Sequence, residues 1–365
     1  MKLVVNAEIL KDMVSRAVKG AGNNKLIPIT SLMKIQQSEN GFELVTTDAT
    51  NYLYVKEDKI VGDDFYAVVP VDVFSKLISK VTSETVALNI KNNILIVTAN
   101  GSYSIELPLD ENGEAIKYPE PFEQYKKFKD SECIINRSTV GVILETVKPA
   151  LATTLENPCY TGYYVGDKIV ATDTYKIASM DVELFGTNMS YLISPELMNL
   201  LAVMSEEKIE VYFKDNDIIF KTDNCIIVGK VMEGIEEYAI EAISSLVDTE
   251  FDSKCKIPKA PLLQLLDRLS LFVGTYDKNA VRLTFTKDGL QVESKASSGV
   301  EIIKYVDSQN FREFTCLVDI SMLTQEVKAI QSDVIELYYG EDNAIKFVDG
   351  SITIIVALLE DEVEE

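Results

Sequence analysis

VPVDVFSKLISKVTSETVALNIKNNILIVTANGSYSIEL, residues Val69–Leu107, is a pattern that the chain writes three times. It returns as ISPELMNLLAVMSEEKIEVYFKDNDIIFKTDNCIIVGKVM at Ile193–Met232 and as VDISMLTQEVKAIQSDVIELYYGEDNAIKFVDGSITIIVAL at Val318–Leu358. Each copy reads as a strand end, an Asp or Ser helix N-cap, an amphipathic helix, a polar turn and three alternating strands. In the first copy, Val73, Phe74, Leu77, Ile78 and Val81 fall at helical spacing. The pairs Asn92-Asn93, Asn216-Asp217 and Asp342-Asn343 supply turn chemistry between strands. The copies begin at 69, 193 and 318, a period of about a third of the chain, which is a repeated domain and too long for a solenoid unit.

A second motif precedes each copy. FELVTTDATNYLYV (Phe42–Val55) matches KIVATDTYKIASM (Lys168–Met180), and GLQVESKASSGVEII (Gly289–Ile303) matches more loosely. Helices are expected to open the repeats at Ala7–Gly20, Arg137–Ala152 and Lys259–Phe272, and charged linkers at Tyr118–Asp130 and Ala239–Asp252. These readings predict an α+β protein of three repeated domains, 1–124, 125–246 and 247–365, each with two helices packed on antiparallel sheet. Three such domains can close on themselves or with a second chain, and closure removes exposed strand edges.

Composition narrows the chemistry. The chain has 365 residues, 47% hydrophobic, and no histidine, which excludes Ser-His-Asp triads, Cys-His dyads and His-ligated metals. Cys133, Cys159, Cys225, Cys255 and Cys316 are scattered without a CxxC pair, so they read as reduced core thiols and not as a zinc site. No phosphate-cradling glycine loop is present, and neither cofactor nor enzyme activity is expected. The N-terminal MKLVVNAEILKDMVSRAVKG carries charges inside its apolar run and reads as folded strand and helix. No run of apolar residues is long enough for a membrane span, and a cytoplasmic location is expected. The net charge of −23 by itself argues against nucleic acid, so a DNA-related role depends on where the basic residues sit. Residues 1–124 hold 12 basic and 17 acidic side chains, against 11 and 19 in 125–246 and 12 and 22 in 247–365. The first repeat is the least acidic.

Three tandem copies over the whole chain resemble the bacterial DNA polymerase III β clamp family. Leu26-Ile-Pro-Ile29 is similar to that family's first-domain loop, Val170-Ala-Thr-Asp173 to its second-domain VATD segment, and Asn279-Ala-Val-Arg-Leu283 to the start of its third-domain strand. The chain departs where the family writes Gly-His-Arg-Leu after VATD, having Thr174-Tyr175-Lys176-Ile177. It has Ile235-Glu236-Glu237-Tyr238 for Phe-Pro-Asp-Tyr, and Ile354 through Leu359 runs into an acidic Glu360–Glu365 end.

The resemblance implies half of a closed ring, a homodimer around double-stranded DNA, with helices lining the hole. Pore contacts would then come from Lys11, Arg16, Lys19, Lys25, Lys76 and Lys80, with Arg137 and Lys148 in the second repeat and Lys259, Arg268 and Lys328 in the third. A cleft for short peptide motifs of a DNA polymerase and clamp loader would use Tyr160, Thr172, Thr174, Tyr175, Lys176, Ile177, Ile354, Ile355, Val356, Ala357 and Leu358. The dimer seam would use Tyr103 and Ile105 on an edge strand, against Phe272 and Val273. Asp48 and Asp173 recur at equivalent points of two repeats and read as turn-forming carboxylates, not as a catalytic pair. The function implied is a DNA sliding clamp that gives a replicative polymerase processivity. The alternative is a clamp-like interaction protein or inhibitor that binds replication partners without sliding on DNA.

Overall fold

The structure is a computed structural model that describes residues 2–360, except 40, 61, 121–130, 187–188, 275–278, 295–298 and 342. The element order recurs three times. The first copy runs β1 (Lys2–Asn6), α1 (Ala7–Ala17), β2 (Leu32–Ser38), β3 (Gly41–Thr47), β4 (Tyr52–Glu57), β5 (Phe65–Pro70), α2 (Val71–Ser79), β6 (Thr85–Lys91), β7 (Ile94–Thr98) and β8 (Ser102–Glu106). The second runs β9 (Cys133–Asn136), α3 (Arg137–Thr146), β10 (Tyr163–Val165), β11 (Ile169–Thr172), β12 (Lys176–Met180), β13 (Tyr191–Ile193), α4 (Pro195–Leu201), β14 (Lys208–Lys214), β15 (Asp217–Lys221) and β16 (Cys225–Lys230), followed by α5 (Ile240–Val247). The third runs β17 (Ser253–Pro258), α6 (Lys259–Leu269), β18 (Ala280–Phe285), β19 (Leu290–Ser294), β20 (Val300–Ile303), a short β21 (Asp307–Gln309), β22 (Phe314–Asp319), α7 (Ile320–Ala329), β23 (Val334–Tyr339), β24 (Ala344–Asp349) and β25 (Ile352–Ala357).

Local chemistry explains most element ends. The Asn6 side chain accepts from the amides of Glu8 and Ile9 to cap α1, and Asp319 caps α7 through Ser321 and Met322. In the first copy the expectation shifts by two residues. Helix α2 begins directly after Pro70, so Asp72 sits inside the first turn, where its charge favours the helix dipole, and is not the N-cap. Val73 is exposed, and the buried stripe is Val71, Phe74 and Ile78. Asn92 and Asn93 both adopt positive φ between β6 and β7, as a two-residue hairpin demands. The corresponding later turn is Asp215-Asn216 with Asp217 already in β15, one residue earlier than the sequence suggested. Asp342 lies outside the described residues. The expected linker Ala239–Asp252 contains helix α5, which buries Ile243 and Val247, and most of the other expected linker, 121–130, lies outside the described residues.

By packing, the chain divides into two compact units, Met1–Val140 with Glu196–Val231, and Gly141–Pro195 with Met232–Glu365, so the division cuts through the second repeat. The first unit holds a four-stranded sheet, β1-β6-β7-β8, and an eight-stranded sheet, β5-β2-β3-β4-β16-β15-β14-β9. On one face of the larger sheet Tyr52, Tyr54, Tyr118, Tyr212, Ile219 and Val228 form a core. The Lys34 ammonium, fully buried, is neutralised there by Glu43 at 2.6 Å and by Glu120. Leu10, Met13, Val14 and Ala17 of α1 and Phe74 and Ile78 of α2 are buried in the helix layer.

The second unit holds a nine-stranded sheet, β13-β10-β11-β12-β25-β24-β23-β17-β21, and a four-stranded sheet, β20-β19-β18-β22. Leu262, Leu265, Leu266 and Leu269 of α6 and Leu323 and Val327 of α7 are buried. Phe285 of β18 stacks on Tyr339 of β23 with ring centroids 3.8 Å apart. All ladders in both units are antiparallel, so helices packed on antiparallel sheets are the architecture throughout the described residues. No helix among these residues is long and apolar enough to cross a membrane.

Gly289, before β19, has φ +157, and a Cβ there would collide with the Ile303 backbone carbonyl at the end of β20. Gly289→Ala is therefore expected to lower stability by about 1–3 kcal/mol through overpacking. Urea unfolding would check this, and an unchanged midpoint would contradict it.

Candidate functional site

The two hairpin tips that the sequence repeats carry the same hydrogen bonds. After β3, Thr47-Asp48-Ala49-Thr50-Asn51 folds so that the Asp48 carboxylate accepts from the amides of Thr50 (2.9 Å) and Asn51 (2.7 Å), and the Thr47 hydroxyl donates to the Asn51 carbonyl. After β11, Thr172-Asp173-Thr174-Tyr175-Lys176 repeats the bonds. Asp173 accepts from Tyr175 and Lys176, and Thr172 donates to the Lys176 carbonyl. Ala49 and Thr174 take positive φ at the same point. Both carboxylates hold turns, and this is the chemistry expected of them.

The basic residues divide by what they touch. In the first unit, α1 and α2 enclose a groove of about 560 Å³ lined by Lys11, Lys19, Lys76, Ser15, Ser75 and Ser79, with Glu8 and Asp12. Lys11 pairs with Glu8 at 2.8 Å, and Lys76 pairs with Asp72 at 2.6 Å between exposed side chains, which binds weakly. Lys19, Lys25 and Lys80 are exposed and in no ion pair among the described residues. Arg16 is committed elsewhere. Its guanidinium donates to the Val203 carbonyl (3.2 Å) and Asn224 Oδ1 (2.6 Å), tying α1 to the loop after α4 and the β15–β16 turn.

The later repeats offer fewer uncommitted cations. Lys259 Nζ donates to the Lys328 and Ile330 carbonyls and so finishes the C-terminus of α7. Arg268 makes a two-point bond to Glu301 at 2.8 and 2.6 Å. Arg137, Lys148 and Lys328 are exposed. Leu26, beside Lys25, is 90% exposed on a turn that Asn24 organises through the Leu26 amide.

The expected cleft residues do not share one face. Ile177 of β12 and Ile355 of β25 join Cys159, Tyr164, Val170, Leu192, Tyr238, Ile243 and Val247 in one apolar cluster. Its rim is formed by the half-buried Tyr160, Met232, Ile235, Ile240 and Ala344. Tyr238 is the centre, its ring 5.1 Å from Tyr160 and 5.4 Å from Tyr164, with its hydroxyl donating to the Val170 carbonyl. Lys176, Ile354 and Val356 are corrections. All three are buried, and strand alternation turns them toward the helix side, away from Ile177 and Ile355. Thr172 is buried in its turn, Thr174 and Tyr175 are exposed, and Ala357 and Leu358 are half-buried. Ile243 and Val247 escape sequence reading because α5 reads as linker, whereas Tyr238 belongs to the Ile235–Tyr238 segment already set against the family's turn, without being named among the cleft residues. The helical spacing of Ile240, Ile243 and Val247 was the available signal.

On the helix side, Lys176 Nζ donates to Gln325 Oε1 (2.9 Å) and to the Pro149 carbonyl, and lies 3.2 Å from Glu326 of α7 and 3.8 Å from Asp173. Glu326 is fully buried, and neither of its oxygens has a well-aligned hydrogen bond. Burial pushes its carboxyl up to about 7, against the lowering pull of Lys176. No group of three or more Cys, Asp or Glu suited to a metal occurs among the described residues.

Two edges remain. Strand β8 ends its sheet with Tyr103 exposed and Ile105 buried, and β20 ends the other four-stranded sheet with Val300 and Ile302 exposed. Phe272 is half-exposed and lies near Gly299 at the start of β20, Val273 is half-buried, and Leu271 is 81% exposed. Ile105 thus belongs to the core of its own sheet, while Val300 and Ile302 on the edge strand β20 and Leu271 in the turn after α6 are exposed apolar residues outside the expected seam set.

No family model matches the chain. Among curated proteins it is 19% identical over 361 residues to a β sliding clamp of Staphylococcus aureus, covering 93% of each chain. It is 22% identical over 332 residues to that of Bacillus subtilis, covering 84% of this chain and 83% of the other. The fold matches the β subunit of DNA polymerase from Streptococcus pyogenes with a TM-score of 0.87 at 15% identity, over 99% of this chain and 100% of that one. It matches the DNA polymerase III β subunit of Thermotoga maritima at 0.83 and 18%, over 99% of both.

Glu326 predicts a pH dependence. Its folded carboxyl titrates near 7 and an ordinary one near 4.5, so the native state takes up a proton in that window that the unfolded chain lacks. The resulting stability is complete below about 4.5 and gone above about 7. Relative to Glu326→Gln, the parent protein should gain melting temperature as the pH falls through this window. Parallel curves for the two proteins would contradict it.

Proposed function

We propose that this divergent member of the β sliding clamp family is a DNA sliding clamp that closes as a homodimeric ring, holds double-stranded DNA by topology and catalyses nothing. One observation carries the closure. In the first unit, the half-sheet β5-β2-β3-β4 joins the half-sheet β16-β15-β14-β9 through β4 and β16. In the second, β13-β10-β11-β12 joins β25-β24-β23-β17 through β12 and β25. Two complementary halves are left over, β22-β18-β19-β20 and β1-β6-β7-β8. By the same rule β20 of one copy pairs with β8 of another, which satisfies both edges and repeats symmetrically in a closed assembly. Tyr103 and Phe272 then lie at the seam, and Leu271 flanks it.

The DNA face follows from the helix grooves. Duplex DNA carries about one charge per 1.7 Å of axis, so a few uncommitted lysines suffice for a weak, sliding contact. Lys19, Lys25 and Lys80 of the first repeat are the best placed, Lys11 and Lys76 can join them from their weak ion pairs with Glu8 and Asp72, and the exposed Arg137, Lys148 and Lys328 contribute from the others. Arg16, Lys259 and Arg268 serve mainly to hold the fold. The three repeats act as three clamp domains, 1–124, 125–246 and 247–365, and the ring works in the cytoplasm. A polymerase and a clamp loader dock short apolar peptides on the cluster around Tyr160, Ile177, Tyr238 and Ile355. The scarcity of uncommitted cations in the later repeats favours one second reading, a clamp-like inhibitor that binds partners without sliding.

Loading on nicked circular DNA separates these readings. A clamp stays on the circle and leaves when the circle is cut, whereas peptide binding without retention on DNA would establish the inhibitor. Lys19→Glu, Lys25→Glu and Lys80→Glu together should weaken DNA binding and reduce the salt slope by about 0.9 for each phosphate no longer neutralised. Processivity unchanged in that variant would reject the assigned face. Tyr103→Asp with Phe272→Asp should convert the dimer to monomers in sedimentation with little loss of monomer stability, and an intact dimer would reject the β8–β20 seam.

A further inference from the structure

We infer that the apolar cluster around Tyr238 selects peptides whose Leu or Phe anchors are flanked by Lys or Arg. The inference rests on the peptide-docking reading above and adds the charge of the partner. The stretch Met232 to Glu241 alternates two kinds of residue. Met232, Ile235, Tyr238 and Ile240 turn into the cluster, while Glu233, Glu236, Glu237 and Glu241 are exposed. None of these four glutamates is in an ion pair among the described residues. Burial pushes up the Cys159 thiol, next to the rim residue Tyr160, and the nearby Glu237 charge adds to it.

Lys346, a cation at the end of α5, does not offset this rim. Lys346 Nζ donates to the Val247 and Thr249 carbonyls at 3.2 and 2.6 Å, at the C-terminal end of α5, and lies 5.1 Å above the Phe251 ring. Its charge is used to finish that helix. An apolar anchor seated beside Tyr160 and Tyr238 therefore leaves its flanking residues among four exposed carboxylates. Basic flanks gain from that placement, and acidic flanks are repelled.

The test is fluorescence anisotropy on the full chain with two labelled peptides that share one Leu-Phe core, one flanked by Lys and Arg and the other by Glu and Asp. From two or three exposed ion pairs, the basic peptide should bind on the order of tenfold tighter at low salt. The preference should shrink at high salt. It should reverse in the variant carrying Glu233→Lys, Glu236→Lys, Glu237→Lys and Glu241→Lys, whose substitutions are all at exposed positions. Equal binding of both peptides, unchanged in that variant, would overturn the charge selection and leave the docking site standing. Binding of neither peptide to either protein would overturn the docking site itself.

Discussion

Strand β4 meets β16 with Tyr52, Leu53, Tyr54 and Val55 opposite Val228, Ile227, Ile226 and Cys225, and β12 meets β25 from Lys176–Val356 to Met180–Ile352. These joints fuse the first half of one repeat with the second half of the next. A strand edge carries a row of unpaired amides and carbonyls, and a buried row of that kind is costly. Because each repeat presents one edge of each type, every joint uses one and leaves the next to be satisfied. Among the counterparts of the joined strands, β8 and β20 are the two that stay at sheet edges, and closure into an assembly is proposed from that constraint more than from any single side chain.

The joints also explain where buried charge sits. Lys176 is at once the last residue of a hairpin tip, the first of the joint strand β12 and the partner of Glu326 on α7. The matching tip in the first repeat ends in Asn51, an uncharged residue. Two hairpins with the same backbone bonds therefore carry different chemistry toward their helix layers, and a carboxyl titrating near neutrality occurs at only one of them among the described residues. Burial of an ion pair is weak evidence for stability, since desolvation offsets the Coulomb gain. Its effect here is to fix the strand that carries Ile177 against α7.

Much of the fold was legible in the sequence, and the reasons are local. Period-2 and period-3.6 apolar patterns placed all six repeat helices and the hairpins, because those patterns follow from which face of each element is buried. The errors were local too. Asp72 looked like an N-cap, yet Pro70 already sets the backbone for the helix start. Helix α5 was hidden by its acidic surroundings, although Ile243 and Val247 bury themselves. At the site, Ile177 and Ile355 pair across the joint and share one apolar cluster, while Ile354 and Val356 lie on the other face of β25, a separation that adjacency in sequence hides because neighbours on a strand face opposite ways.

By itself the sequence determined the threefold module, the turn role of Asp48 and Asp173, and the absence of histidine chemistry, since each depends on residue type and short spacing. Only the tertiary structure decided which cations stay uncommitted, that Tyr238 sits at the centre of the apolar cluster, and which half-sheets find partners within the chain. Those outcomes depend on contacts between residues far apart in sequence, such as Arg16 with Asn224 or Lys176 with Glu326. A side chain's charge is written in the sequence, but its availability is set by what folding brings within about 3 Å of it.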